Sequence, residues 1–172
     1  MTVIAFPKQM TWEPLDAERL RAANIYPATG LATDYLNHFN EAIMLLELVP
    51  SMPDCAAELM DWRPKSYVEH FELSNYREKE LAVEAFHRSP PVVRRAFDDL
   101  VSDLDELMLA TIHDLSTAPN DQVVARVAYE ACAKLKALVA KAAGLMNGVL
   151  QDDDDLMEPP AAQDTIDALM AR

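Results

Sequence analysis

Glycine is almost missing from this 172-residue chain: Gly30, Gly144 and Gly148 are its only three. No G-x-G-x-x-G or Walker loop can be written with them, which excludes the usual glycine-cradled nucleotide sites. Cysteine is as scarce. Cys55 and Cys132 stand far apart and form no C-x-x-C, so neither a zinc ribbon nor a disulfide framework is implied. Cations are short as well: Lys plus Arg number 15 against 29 for Asp plus Glu, a formal charge of −14. Phosphate neutralisation needs clustered cations, so neither nucleic acid nor an anionic membrane surface is an expected partner. No window approaches about eighteen uninterrupted apolar residues, as a membrane span would require. Residues 1–12 lack the cationic start and apolar run of a secretion signal. A soluble cytoplasmic protein is expected.

What is present suffices for a folded body. Hydrophobic residues make up 51% and charged residues 26% of the chain. A single domain of this length buries roughly 70% of the surface that its unfolded chain would expose. Residues 1–30 hold Pro7, Pro14 and Pro27 and little periodicity, and read as a mostly irregular arm with a short helix at 16–24. From residue 31 to 150 the pattern is helical. Thr33 is the expected cap of a helix that Pro50 stops, with Tyr35, Phe39, Ala42, Ile43 and Leu46 on one face and Asp34, Asn37, His38 and Glu41 on the other. Shorter helices follow at 51–62, after Ser66, and after Ser74 or Asn75.

Ser89-Pro-Pro restarts the chain into a long helix over 92–115, striped by Val93, Phe97, Leu100, Leu104, Leu107, Met108 and Leu115. A turn at 116–120 leads to an alanine-rich helix over 121–150. Short connections make neighbouring helices antiparallel, so an all-α bundle built on a long helix hairpin is expected. Small side chains let partner backbones approach closely. The alanine-rich helix is therefore either the centre of the bundle or half of a homo-oligomer interface. From Gln151 the composition changes to an acidic linker, Asp152 to Asp155 with Glu158, and then a short amphipathic stretch carrying Ile166, Leu169 and Met170. That region holds seven acids against Arg172, so six of the fourteen excess negative charges lie there.

Few residues suggest chemistry. Asp34, His38 and Glu41 at i, i+4 and i+7 could offer one metal a carboxylate, an imidazole and a carboxylate. The plainer reading is an exposed helical pair beside a solvated glutamate. Glu84-Ala-Phe-His87 has the E-x-x-H spacing of di-iron bundles, but such bundles need the motif twice and no second copy exists. Glu69 and Glu72, with Asp98, Asp99 and Asp103, are spaced as carboxylates that hold magnesium for phosphate chemistry. Glu72 and Asp103 fall toward the apolar side of their helices, however, and solvated acidic faces usually look like this. Cys55 falls in a first helical turn, where backbone N–H groups favour a thiolate, but Asp54 opposes it. No cofactor is implied.

Two functional classes remain. The first is a small acidic regulatory or adaptor protein that works through protein contacts. Its acidic tail would be the docking segment through Ile166, Leu169 and Met170, and Trp62, at a helix end, the aromatic best placed for a contact surface. The second is a metal-dependent helical enzyme acting on a phosphorylated substrate through Glu69, Glu72, Asp98, Asp99 and Asp103.

Overall fold

The computed structural model describes residues 15–149. They are mostly helical, as expected, and none of their helices is long and apolar enough to cross a membrane. Helix α1 spans Ala17–Ala22 and is capped by Asp16, whose carboxylate accepts from Glu18 N at 3.0 Å. Two-residue strands β1 (Ile25–Tyr26) and β2 (Leu31–Ala32) pair antiparallel, with Ile25 opposite Ala32. A 3-10 turn at Thr33–Leu36 leads into α2, Asn37–Leu48. A second 3-10 turn, Pro53–Cys55, precedes the one-turn helix α3, Ala56–Leu59. Helices α4 (Tyr67–Leu73) and α5 (Lys79–His87) follow. Last come α6 (Pro91–Thr117) and α7 (Asp121–Met146), joined by residues 118–120 and packed along one another more extensively than any other pair.

Several boundaries follow from local chemistry. Ser66 and Glu69 form a reciprocal capping box: Glu69 Oε2 accepts from Ser66 N at 2.8 Å and Ser66 Oγ from Glu69 N at 3.2 Å. Pro91 opens α6, where its missing N–H is one the helix would leave unpaired anyway. Asn120 caps α7 by accepting from Val123 N at 3.0 Å. Helix α7 ends short of the expected residue 150. Gly148 takes a positive φ of 78° and Val149 N donates to Gly144 O at 2.7 Å, which turns the chain off the helix axis.

Residues 15–30, expected as part of a mostly irregular arm with a short helix, carry that helix and, with residues 31–32, a two-stranded hairpin fastened to the body. Leu20, Ile25 and Leu31 are fully buried. Thr29 Oγ1 donates to Met146 O at 2.6 Å, and Ser89 Oγ donates to Thr29 O at 2.6 Å. The Tyr76 hydroxyl donates to Ala23 O, and the Tyr67 hydroxyl accepts from Ala32 N at 2.9 Å. Gly30 makes the approach possible. It has a φ of 71°, and a Cβ there would lie 2.6 Å from Ala85 O. All of these fastenings join residues distant in sequence, so local periodicity carries no trace of them.

The core has two textures. Tyr35 and Phe39 from the α2 side, Tyr67 and Phe71 from α4, Phe86 from α5 and Phe97 from α6 form a connected aromatic cluster, with neighbouring centroids 4.5–6.0 Å apart. Between α6 and α7 the filling is Leu104, Met108, Leu115, Ala128, Ala131 and Leu135. Ala133, Ala137 and Ala140 face outward instead, so among the described residues α7 lies on the body with one side open.

Candidate functional site

The acids and histidines picked out by spacing are dispersed. Because residues 33–36 form a 3-10 turn, Asp34 and His38 are not one α-helical turn apart, and their side chains part company. Asp34 turns to α4, where its Oδ2 lies 3.5 Å from His70 Nε2, and its Oδ1 accepts from Asn37 Nδ2 at 3.1 Å. His38 turns inward and is only 7% exposed. Its ring stacks on Trp62 at 4.8 Å and 17°, and the Trp62 indole N–H donates to His38 O at 3.4 Å. Glu41 stays in solvent. Glu69 is engaged in its capping box, which holds its carboxyl below the usual range, while Glu72 is exposed one turn away. Asp98, Asp99 and Asp103 are exposed along α6. Glu84 pairs with Arg88 at 2.6 Å. Among the described residues, no three His, Cys, Asp or Glu side chains are grouped to hold a metal ion. Cys55 is half-buried in a 3-10 turn, and Cys132 is buried, which raises its thiol pKa. Ile166, Leu169 and Met170, like the acidic linker, lie outside the described residues.

Two groups that spacing did not pick out are electrostatically unusual. Asp105 sits beside the aromatic cluster, and burial pushes its carboxyl up to about 6. Its Oδ1 has no hydrogen-bond partner among the described residues, and its charge contributes to raising the Tyr35 hydroxyl, which is held up chiefly by burial. The Tyr35 hydroxyl donates to Lys65 O at 2.8 Å. His38 is the counterpart. Burial first, then the nearby Lys65 and His70, lower its imidazole to about 4, and its Nε2 also lacks a partner among the described residues. Both are groups kept neutral by desolvation over part of the pH range. Beside Trp62 opens a cleft of about 410 Å³, rimmed by Glu41, Glu58 and Asp61 on one hand and Arg63 and Lys65 on the other. Mixed charge around an aromatic floor suits contact with a polypeptide better than capture of one ion.

The surface along α2 and α7 differs in kind. Met44 and Leu48 stand one turn apart on the outer side of α2, 58% and 42% exposed, and Met52 follows in the next turn at 49%. Across the seam Tyr129 of α7 is 74% exposed. It borders a hollow of about 350 Å³ with Leu46, Glu47, Pro50, Cys132, Ala133 and Lys136. Lys136 and Glu47 pair across this seam, and the carboxylate raises the lysine pKa. The sequence did carry a signal for this surface: Met44 and Leu48 are apolar residues left off the buried stripe of their own helix. Tyr129 is likewise a large ring on the side of α7 away from Ala128, Ala131 and Leu135. No protein-family model matches the chain, and neither a curated protein nor a solved structure is detectably similar to it.

Proposed function

We propose that this is a small acidic adaptor or regulatory protein of the cytoplasm, acting through protein–protein contacts. In this reading the antiparallel hairpin of α6 and α7 is the scaffold of a body over residues 31–150, with residues 1–30 as an N-terminal arm of which 15–30 are fastened to the body. The 151–172 segment is a docking element that uses Ile166, Leu169 and Met170. The observation that carries the reading is the exposure, among the described residues, of Met44, Leu48 and Met52 along α2 and just after it, and of Tyr129 on the α7 side of the hollow facing α2. Exposed apolar side chains grouped on one side, with charged neighbours at the rim, are how contact surfaces are commonly written. Methionine suits such a surface, because its unbranched chain adapts to differently shaped partners. Trp62 and its mixed-charge cleft offer a second contact region, and the open side of α7 is where a second copy would pack in a homo-oligomer. The metal-dependent reading has no comparable observation behind it.

The test compares three baits in partner capture: the full chain, a chain ending at Leu150, and a full chain carrying Met44→Gln, Leu48→Gln and Tyr129→Ser. The expected result is one partner held by the full chain and lost from at least one of the altered baits. Identical captures by all three would remove both the surface and the tail from the argument. Sedimentation of the full chain and the surface variant decides whether α7 joins two copies.

A further inference from the structure

The charge of the body is unevenly shared between its two long helices. Helix α6 carries Arg94 and Arg95 against six acids, whereas α7 carries Arg126, Lys134, Lys136 and Lys141 against Asp121 and Glu130. From residue 131 to the end of α7 there are three lysines and no acid. Lys136 lines the hollow of Tyr129 and Pro50 along one edge of the open side of α7, and Lys134 lines the groove toward α6 along the other edge, with Lys141 two turns beyond it. The 151–172 segment has the complementary pattern in the complementary order: five acids between residues 152 and 158, then Ile166, Leu169 and Met170 at helical spacing.

We propose that this segment folds back on its own body as the resident occupant of the α2–α7 surface. The acids 152–158 lie along Lys141, Lys136 and Lys134, and Ile166, Leu169 and Met170 cover Tyr129 and the hollow beside it. The chain is already turned off the α7 axis at Gly148. The distance back to Tyr129 is that of seventeen helical residues before Met146, about 26 Å at 1.5 Å per residue. The fifteen residues between Leu150 and Ile166 can span up to about 50 Å, so the reach is ample. Tethering favours this occupant over the same segment from another molecule. A short flexible linker holds its end at an effective concentration on the order of millimolar, far above that of a second copy in dilute solution. The proposal builds on the reading of this surface as a contact surface and names what covers it first: a partner must displace the tail.

Two measurements on the full chain test this. Carbodiimide coupling joins a lysine amine to a carboxylate only where the two touch. The expected products are links from Lys134, Lys136 or Lys141 to acids within 152–158, formed inside one chain in a mixture of isotopically light and heavy protein. They should weaken strongly at about 0.5 M salt, where exposed charges are screened. Hydroxyl-radical footprinting reads the apolar half. Tyr129 labelling is expected to rise about threefold in an Ile166→Asp, Leu169→Asp double variant, whose changes lie outside the core of the body. Links only between light and heavy chains, links spread evenly to Lys65 and Lys79, or unchanged Tyr129 labelling would each overturn the proposal. Its failure is distinguishable from that of the adaptor reading. Absent links with a partner still lost on truncation leave the tail serving the partner alone, while links with no partner captured would leave only the internal contact.

Discussion

The aromatic cluster and the outer side of α7 are made from opposite materials and answer to different demands. In the cluster, Tyr35, Phe39, Tyr67, Phe71, Phe86 and Phe97 come from four separate stretches of chain and are closed to solvent. Their hydroxyls fasten backbone that belongs to other elements: Tyr35 to Lys65 O, and Tyr67 to Ala32 N. On α7, Ala133, Ala137 and Ala140 face outward beside Tyr129, which touches little. One region gives the body its stability; the other gives it a face. If that division holds, substitutions in the first should unfold the protein, and substitutions in the second should leave its folding untouched.

The largest effect is expected at Phe97, whose ring meets Tyr35, Tyr67 and Phe86. Phe97→Ala removes a fully buried ring at the junction of α2, α4, α5 and α6. It should reduce unfolding free energy in urea by about 3–5 kcal/mol. A loss under about 1 kcal/mol would mean that the cluster is loosely packed and that the contrast with α7 is false.

The pH dependence sharpens the comparison, because both desolvated groups belong to the cluster side. His38 is lowered in the folded state to about 4 from an ordinary 6.5. The unfolded chain therefore takes up a proton that the folded one refuses. This stability is fully present above pH 6.5 and is lost as pH falls toward 4, by about 2 kcal/mol after allowance for solvent screening. His38→Gln lacks this dependence, so the stability difference between parent and variant should shrink by that amount from pH 7 to pH 4. Asp105 acts in the other direction. Its carboxyl is raised to about 6 from 3.8, so its contribution is complete below pH 3.8 and disappears as pH rises through 6. Asp105→Asn should stabilise the protein at pH 7 by about 1 kcal/mol and bring no gain at pH 3.5. Urea titrations across pH 3.5–7 measure both. Between pH 4 and 6 the two groups oppose each other, so the parent should be flatter than either variant.

How much of this could be read from the sequence depends on how local the cause is. The helices after Ser66, Pro91 and Asn120 begin where their caps and prolines say, because those signals act within three residues. The inward turn of His38 was legible but passed over: Ala42 lies one turn after it within α2, so the buried stripe includes the imidazole, and only its pairing with Asp34 is undone by the 3-10 turn at 33–36. The hairpin at residues 25–32 escaped for a different reason. Its fastenings reach Tyr67, Ser89 and Met146, and a two-residue strand has no periodicity to show. Asp105 escaped because the acids flanking it, Asp103 and Glu106, are solvated; its own burial in the folded body is what makes it unusual. The open side of α7 could have been anticipated, since three lysines and a tyrosine fall off its buried stripe.

The smallest stability effect belongs to that open side. Tyr129→Ser removes a ring that is three-quarters exposed, with no hydrogen bond from its hydroxyl among the described residues. The change should shift unfolding free energy by under about 0.5 kcal/mol, since surface substitutions away from caps, cavities and ion networks usually do no more. Helix propensity argues the same way, because Ser and Tyr rank close together. A loss above about 1 kcal/mol could arise only if the ring is covered in the whole protein. Repeating the measurement with the chain ended at Leu150 separates the causes. If the larger loss vanishes on truncation, the cover is the tail. If it persists and depends on protein concentration, the cover is a second copy packed on α7.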